Sequence, residues 1–96
     1  MKTIEDIKRD SFPHPLVDGA RQTIYETPLL KISIVGGGRG LYGDFNETFE
    51  VAIIEKNKFN LISGYFYPEF SDSEGETMPY LSIEQTLKVV NDLVKK

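Results

Sequence analysis

Cysteine and tryptophan are absent from the 96 residues, and histidine occurs only once, as His14. The lack of cysteine excludes disulfide bonds, thiolate zinc sites and a cysteine nucleophile. A single imidazole cannot form a His-rich metal site, and no acyl-transfer set of residues accompanies it. His14 lies between Pro13 and Pro15, which favours a rigid surface turn. We therefore predict no catalytic residues, no metal site and no cofactor, in a protein that is not an enzyme.

Long apolar runs and an excess of basic residues are also lacking. The longest apolar runs, such as Val51–Ile54, are too short to span a bilayer. The first residues contain acids as well as bases and no apolar run typical of a secretory signal. Eleven basic and fifteen acidic residues give a net charge of −4, whereas nucleic-acid binding needs a basic face. We expect a cytoplasmic protein without membrane contact or direct nucleic-acid binding, folded as a single domain over residues 1–96.

Strand-like patterns occupy much of the remaining sequence. Leu30, Ile32 and Ile34 alternate with polar residues, which indicates a strand with one buried face and one wetter face. The pattern predicts four strands: Gln22–Glu26, Leu29–Val35, Thr48–Glu55 and Phe59–Tyr67. The short turns between them favour antiparallel pairing. Residues 68–79 are polar and are predicted to form a loop.

Helical signals lie at the two ends of the sequence. Thr3, followed by acids, predicts the start of a short helix that the later prolines limit. Ser82–Gln85 has the form of a capping box and predicts a longer helix over residues 82–95. Its apolar stripe consists of Ile83, Leu87, Val90 and Val94. We expect this stripe to meet five sheet residues: Ile32, Ile34, Val51, Ile53 and Leu61. The predicted fold class is α+β, a three- to four-stranded antiparallel sheet with the carboxy-terminal helix packed on one face and a short amino-terminal helix.

The glycine-rich loop after the second strand has the spacing Gly38-x-Gly40-x-x-Gly43 of a dinucleotide-binding fingerprint. That fingerprint requires a helix directly after the glycines, because the helix amino end must meet the pyrophosphate. Residues 44–55 instead alternate with a period of two by Thr48, which indicates a returning strand. We therefore predict that the loop turns the chain in a wide hairpin.

Side chains that this hairpin carries outward are candidates for contact with a partner. Arg39, Tyr42 and Asp44 lie in the loop, and arginine and tyrosine are common contact groups at interfaces. Tyr65 and Tyr67 add aromatic side chains that are difficult to hide together in so small a core. A purely structural turn remains the alternative for the loop, and core packing remains the alternative for the two tyrosines.

A ligand-binding interpretation uses the same loop. The amides of a glycine turn can form an anion-binding nest, and an arginine side chain can clamp a phosphate. Gly38, Arg39 and Gly40 would then bind a small molecule, such as a nucleotide signal that the protein sequesters. This interpretation stays open as the alternative to a protein partner.

Four short motifs follow one another along the chain: KISIV at residues 31–35, Tyr42-Gly43-Asp44, Phe49-Glu50-Val51-Ala52, and the step Tyr80–Gln85 into the last helix. In this order the chain resembles small uncharacterised proteins encoded by bacteriophages of Gram-positive hosts. The resemblance covers most of residues 2–95 and brings no catalytic residues. It implies an accessory factor that binds and blocks host machinery, in the style of inhibitors of CRISPR effectors and other defence systems.

The leading expectation is therefore a non-enzymatic protein that inhibits a host protein in the host cytoplasm by occupying its surface. A sheet edge would also allow pairing with a second copy, which would give a homodimer.

Overall fold

The computed structural model describes residues 1–94, which form three helices and six strands. The helices are α1 (Ile4–Arg9), α2 (Ser63–Phe66) and α3 (Ile83–Leu93). The strands are β1 (Phe12–Pro13), β2 (Arg21–Glu26), β3 (Leu30–Gly36), β4 (Thr48–Glu55), β5 (Asn60–Leu61) and β6 (Met78–Ser82). The α+β class is confirmed.

All strand pairs in the sheet are antiparallel, in the order β1-β2-β3-β4-β5, and β6 also pairs with β4. Val51 pairs with Ile34 on one side and with Met78 on the other, so β5 and β6 share the edge of β4 that faces away from β3. The predicted count of three to four strands is corrected to six. The sequence pattern does not indicate β1, which is only two residues long, or β6, which begins within the predicted loop 68–79.

The glycine-rich loop joins β3 to β4 in a hairpin, as predicted. Val35 pairs with Glu50 and Ile32 pairs with Ile53 across the two strands. The chain after the glycines is therefore extended, and no helix begins there. The predicted separation of the first two strands also holds, because β2 ends at Glu26 and β3 begins at Leu30.

The predicted strand Phe59–Tyr67 is correct only over Asn60–Leu61. The chain turns at Phe59, pairs with β4 only over Asn60–Leu61 and then enters α2. Contacts with distant residues fix this path, because the amide of Ile53 donates to Ser63 Oγ (2.9 Å) and the Ser63 hydroxyl donates to the Glu76 carbonyl (2.8 Å). The predicted loop 68–79 is correct only in part, since β6 begins at Met78.

Both helix caps agree with their sequence signals. Thr3 and Asp6 form a capping box at α1, and Ser82 and Gln85 form one at α3. The helix α3 runs to Leu93, and the predicted end at Lys95 lies outside the described residues. Its most buried side chains are Thr86, Val89 and Val90, whereas the stripe residues Ile83, Leu87 and Val94 are only partly buried. The buried face is therefore turned from the predicted one, toward a threonine that hydrophobicity alone does not select.

The core lies between the helices and one face of the sheet. Ile7 of α1 and Val89 and Val90 of α3 belong to a single buried cluster with six residues of the central strands: Tyr25, Ile32, Ile34, Phe49, Val51 and Ile53. The carboxy-terminal helix thus packs on one face, as predicted. The expectation that Leu61 joins this core is wrong, because Leu61 pairs with Ile54 and therefore shares its face, opposite to that of Ile53.

Candidate interaction surface

The sheet has a second face that the helices do not cover. Side chains alternate between the two faces of a strand, and residues directly opposite each other on neighbouring strands share a face. The strand register therefore assigns ten residues to the side away from the core: Gln22, Ile24, Glu26, Lys31, Ser33, Val35, Glu50, Ala52, Ile54 and Leu61. We call this set the open face. None of these ten belongs to the core cluster that contains the residues of α1 and α3.

The middle of the open face is apolar and small. Ile24, Ala52 and Ile54 are partly buried there and Val35 is buried (7% exposed), whereas Leu61 on the edge strand β5 is 39% exposed. Ser33 between them accepts a hydrogen bond from the Gln22 side chain (3.0 Å). A sheet with one solvated face normally presents polar residues on that side. The apolar residues in the middle of the open face depart from this pattern, which makes the face a candidate contact surface.

Charged side chains lie toward the border of the open face. Glu26 pairs with Lys56 at 3.0 Å, and Lys31 lies opposite Glu26 on the neighbouring strand. At the other end of the face, the Glu50 carboxylate accepts the backbone N–H of Tyr42 (2.9 Å). Glu50 therefore joins the open face to the glycine-rich loop.

The glycines of this loop permit a close approach of the chain to itself. A Cβ on Gly43 would lie 2.8–2.9 Å from the backbone of Phe49, and a Cβ on Gly36 would lie 2.7 Å from the amide of Phe45. These contacts leave no room for a side chain at either position. The N–H of Gly37 donates to the Gly43 carbonyl (2.9 Å), and the N–H of Leu41 donates to the Gly38 carbonyl (3.3 Å). Two amides of the loop, those of Gly37 and Leu41, thus bond within the loop and are not available to an anion.

Asp44 stabilises the second half of the loop through hydrogen bonds. Its Oδ1 accepts the backbone N–H groups of Asn46 (2.8 Å), Glu47 (2.9 Å) and Thr48 (3.0 Å). These donors stabilise the charged form and hold the pKa of the carboxyl well below its ordinary value. Asp44 is exposed, but this oxygen is already occupied by the chain itself. Its position favours a structural role over contact with a partner.

Tyr42 and Tyr80 form an exposed pair, which we call the tyrosine pair. Their ring centroids are 5.5 Å apart and the rings are tilted by 49°, while the side chains remain 51% and 61% exposed. The N–H of Tyr80 donates to the carbonyl of Tyr42 (3.0 Å). Because Tyr42 also bonds to Glu50, the tyrosine pair lies at the border of the open face.

Tyr80 has an unusual backbone conformation. Its φ angle is +56°, in the left-handed region that bulky side chains rarely adopt, and the pairing of β4 with β6 is irregular there, between Phe49 and Val51. Such strain persists only where surrounding contacts impose it, and it is common at functional sites. The sequence does not indicate that Tyr80 and Glu50 meet Tyr42, because these contacts depend on the pairing of distant strands.

The remaining predicted residues are dispersed. Arg39 is exposed, Gly40 has open space around it, and a Cβ on Gly38 would clash with Val17 and Ala20. Tyr65 is 85% exposed, packs edge-on against Phe66 and lines a groove with Leu61. It therefore lies near the end of the open face that is distant from the tyrosine pair. Ile54 lies four positions after Glu50 along β4, which corresponds to a distance of roughly 13 Å.

Tyr67 is not available to a partner, which corrects the prediction for this residue. Its side chain is only 7% exposed, stacks on Phe70 and belongs to the core cluster. Its hydroxyl donates to Asp92 (2.7 Å). Burial, together with this carboxylate, raises the pKa of the Tyr67 hydroxyl.

Within residues 1–94 no helix is both long and apolar enough to cross a membrane, and no three His, Asp or Glu side chains gather as metal ligands. Comparison with protein-family models, with curated proteins and with solved structures found no match to this chain. The proposed function therefore depends on the arrangement of residues in the structure. This arrangement joins a sheet face without a covering helix, apolar in its middle, to exposed aromatic side chains at two of its borders.

Proposed function

We propose that this chain is a non-enzymatic binding protein that inhibits a host protein by occupying its surface. The observation that carries the proposal is the open face, where Ile24, Ala52, Ile54 and Leu61 are left without a covering helix. Burying such apolar area against a partner contributes roughly 25 cal/mol per Å². The resemblance to bacteriophage accessory proteins supplies the class of partner, a component of the host and its defence machinery.

The size of the surface supports a role for its aromatic borders. Four strands about 4.8 Å apart and about five residues long cover an area on the order of 300 Å². A standard interface buries about 800 Å² on each partner. The open face alone is therefore too small, and the tyrosine pair and the Tyr65–Phe66 pair are the neighbouring groups that would extend it. Tyrosine and phenylalanine are enriched at interface cores.

A pair of leucine variants tests this surface. Leu61→Arg places a charge on the open face, whereas Leu16→Arg makes the same change at an exposed leucine in the segment between β1 and β2. We expect wild type and Leu16→Arg to retain the same host protein from a lysate of a Gram-positive host, and Leu61→Arg to lose it. Melting curves of both variants control for folding. Equal retention by Leu61→Arg would show that the open face does not contact the host protein.

Inhibition needs its own measurement. Phage plaques would be counted on a CRISPR-carrying host that expresses wild type, Leu16→Arg or Leu61→Arg at matched levels. Inhibition of that defence predicts more plaques with the wild type and Leu16→Arg than with Leu61→Arg. Unchanged plaque counts for all three, together with retained binding, would leave a binding protein that does not inhibit this system.

The nucleotide-binding alternative predicts a different result. A ligand held by Gly38, Arg39 and Gly40 would raise the melting temperature of the free protein by mass action. Arg39→Ala would abolish the shift, while Leu61→Arg would not affect it. A thermal-shift panel of nucleotides therefore separates the two functions with the same set of variants.

A further inference from the structure

The geometry points to a recognition site for an arginine side chain at the tyrosine pair, with Glu50 as the counter-charge. This inference rests on the proposed function and deepens it, because it states which chemical group of the partner the surface takes. A guanidinium fits three properties found together here: two exposed aromatic faces, a fixed carboxylate and an acidic chain.

The aromatic part of the site follows from the ring geometry. With centroids 5.5 Å apart and a tilt of 49°, the rings of Tyr42 and Tyr80 form an open wedge. A cation on the open side of this wedge can lie within about 6 Å of both centroids, the range in which cations are attracted to aromatic faces. Among the described residues a cation–π contact forms between Lys2 and Tyr25 (4.7 Å), away from the tyrosine pair.

The acidic part of the site is held in place by the same backbone. Glu50 Oε1 accepts the N–H of Tyr42 (2.9 Å), which keeps the carboxylate beside the wedge. Arginine is planar, so it can stack on one ring while its N–H groups donate to a carboxylate. The net charge of −4 adds a general attraction for a basic partner. An acidic side chain would be repelled by the carboxylate, and a neutral one would lack the charge that both the carboxylate and the aromatic rings attract.

The site is also preorganised. Two backbone N–H groups connect its three residues, because that of Tyr42 donates to the Glu50 carboxylate and that of Tyr80 donates to the Tyr42 carbonyl. The positive φ of Tyr80 shows that the surrounding fold imposes the orientation of this residue. A rigid site loses less conformational entropy when it binds a ligand.

Nuclear magnetic resonance titration of the labelled protein tests the site without any partner. The probe is N-acetyl-arginine methylamide, and its control is the citrulline analogue, which has nearly the same shape but no charge. We expect saturable shifts of the Tyr42 and Tyr80 ring signals with the arginine probe, with a Kd on the order of 10–50 mM, and little response to citrulline.

Variants identify the groups responsible. Glu50→Gln keeps an oxygen that accepts the Tyr42 N–H but removes the charge, and we expect roughly two- to fivefold weaker binding. Tyr80→Asn tolerates the positive φ and removes a ring, and we expect saturable binding to be lost. Tyr65→Asn changes an exposed tyrosine at a distance from the site and should leave the Kd unchanged.

Each result decides the matter. An arginine site at the tyrosine pair would be contradicted by an equal response to citrulline or by an unchanged Kd in Glu50→Gln. A comparable loss of binding in Tyr65→Asn would contradict it as well. If the spectrum of Tyr80→Asn shows an unfolded chain, the Glu50→Gln comparison decides alone. Because no partner is present, a failure here is separate from a failure of Leu61→Arg to reduce capture of the host protein.

Discussion

The two faces of this sheet are built from the same strands and differ in what covers them. Ile53 and Ile54 are neighbours on β4, yet Ile53 is fully buried under the helices and Ile54 is only partly buried on the open face. The strand sequence TFEVAIIE supplies apolar residues to both sides. Alternation therefore defines two faces, but the placement of α3 decides which one becomes the core.

The two regions are also stabilised by different forces. The covered face depends on burial of aliphatic and aromatic side chains, which is insensitive to pH. The border of the open face depends on carboxylates, through the bonds of Asp44 within the glycine-rich loop and of Glu50 to Tyr42. The effects of substitutions on stability should consequently differ between the two regions, both in magnitude and in pH dependence.

The largest expected difference is between the two isoleucines of β4. Ile53→Ala leaves a cavity in the core and should lower the free energy of unfolding by about 2–5 kcal/mol. Ile54→Ala removes the same atoms from a partly solvated position and should cost less than about 1.5 kcal/mol. Urea denaturation of both variants measures the contrast. Equal losses would mean that the open face is buried as deeply as the core.

The parts of the fold that sequence alone could predict are those with local signals. The strands β2, β3 and β4 alternate in sequence, and the capping boxes at Thr3 and Ser82 depend on residues only three positions apart. In the segment from Phe59 to Met78, no local pattern indicates the path that the chain takes. Gly64 donates its N–H to the Gly75 carbonyl (2.8 Å), and a Cβ on Gly64 would lie 2.7 Å from the Gly75 Cα. This contact depends on tertiary approach and not on a periodic pattern.

The candidate site also has one part that the sequence indicates and other parts that only the fold brings together. The glycine content identified the hairpin and its exposed Tyr42, because glycine spacing is a local feature. The partners Glu50 and Tyr80 lie on β4 and β6, and the pairing of those strands brings them to Tyr42. The partner of the Tyr67 hydroxyl, Asp92, is likewise distant, 25 positions away in the chain.

A second, smaller contrast concerns two tyrosines that are close in sequence. Tyr67→Phe removes a hydroxyl that donates to Asp92 and should cost about 1 kcal/mol. The cost is smaller than is usual for a bond to a charged group, because the Asp92 side chain is 46% exposed and solvent screens its charge. Tyr65→Phe removes a solvated hydroxyl and should change stability by less than about 0.5 kcal/mol. Thermal unfolding in the same buffer measures both variants, and a cost for Tyr65→Phe as large as that for Tyr67→Phe would contradict the assignment of Tyr67 to the core.

The smallest expected effect is confined to the glycine-rich loop and depends on pH. In the folded chain the pKa of Asp44 lies below its ordinary value of 3.8, because three backbone N–H groups donate to the charged carboxylate. The unfolded chain therefore takes up this proton first as the pH falls. The stabilisation is complete above about pH 5 and is progressively lost as the solution becomes more acidic.

Asp44→Asn isolates this contribution, because asparagine keeps an oxygen acceptor but carries no charge. The wild type should melt at a higher temperature than the variant at pH 7, and the difference should shrink as the pH falls from about 5 toward 3. The other carboxylates titrate in both proteins, so the difference reports Asp44 alone. The contrast between Ile53→Ala and Ile54→Ala should stay nearly constant over the same range, since no titrating group changes. A pH-independent effect of Asp44→Asn would show that the loop is held by its glycine contacts and not by this carboxylate.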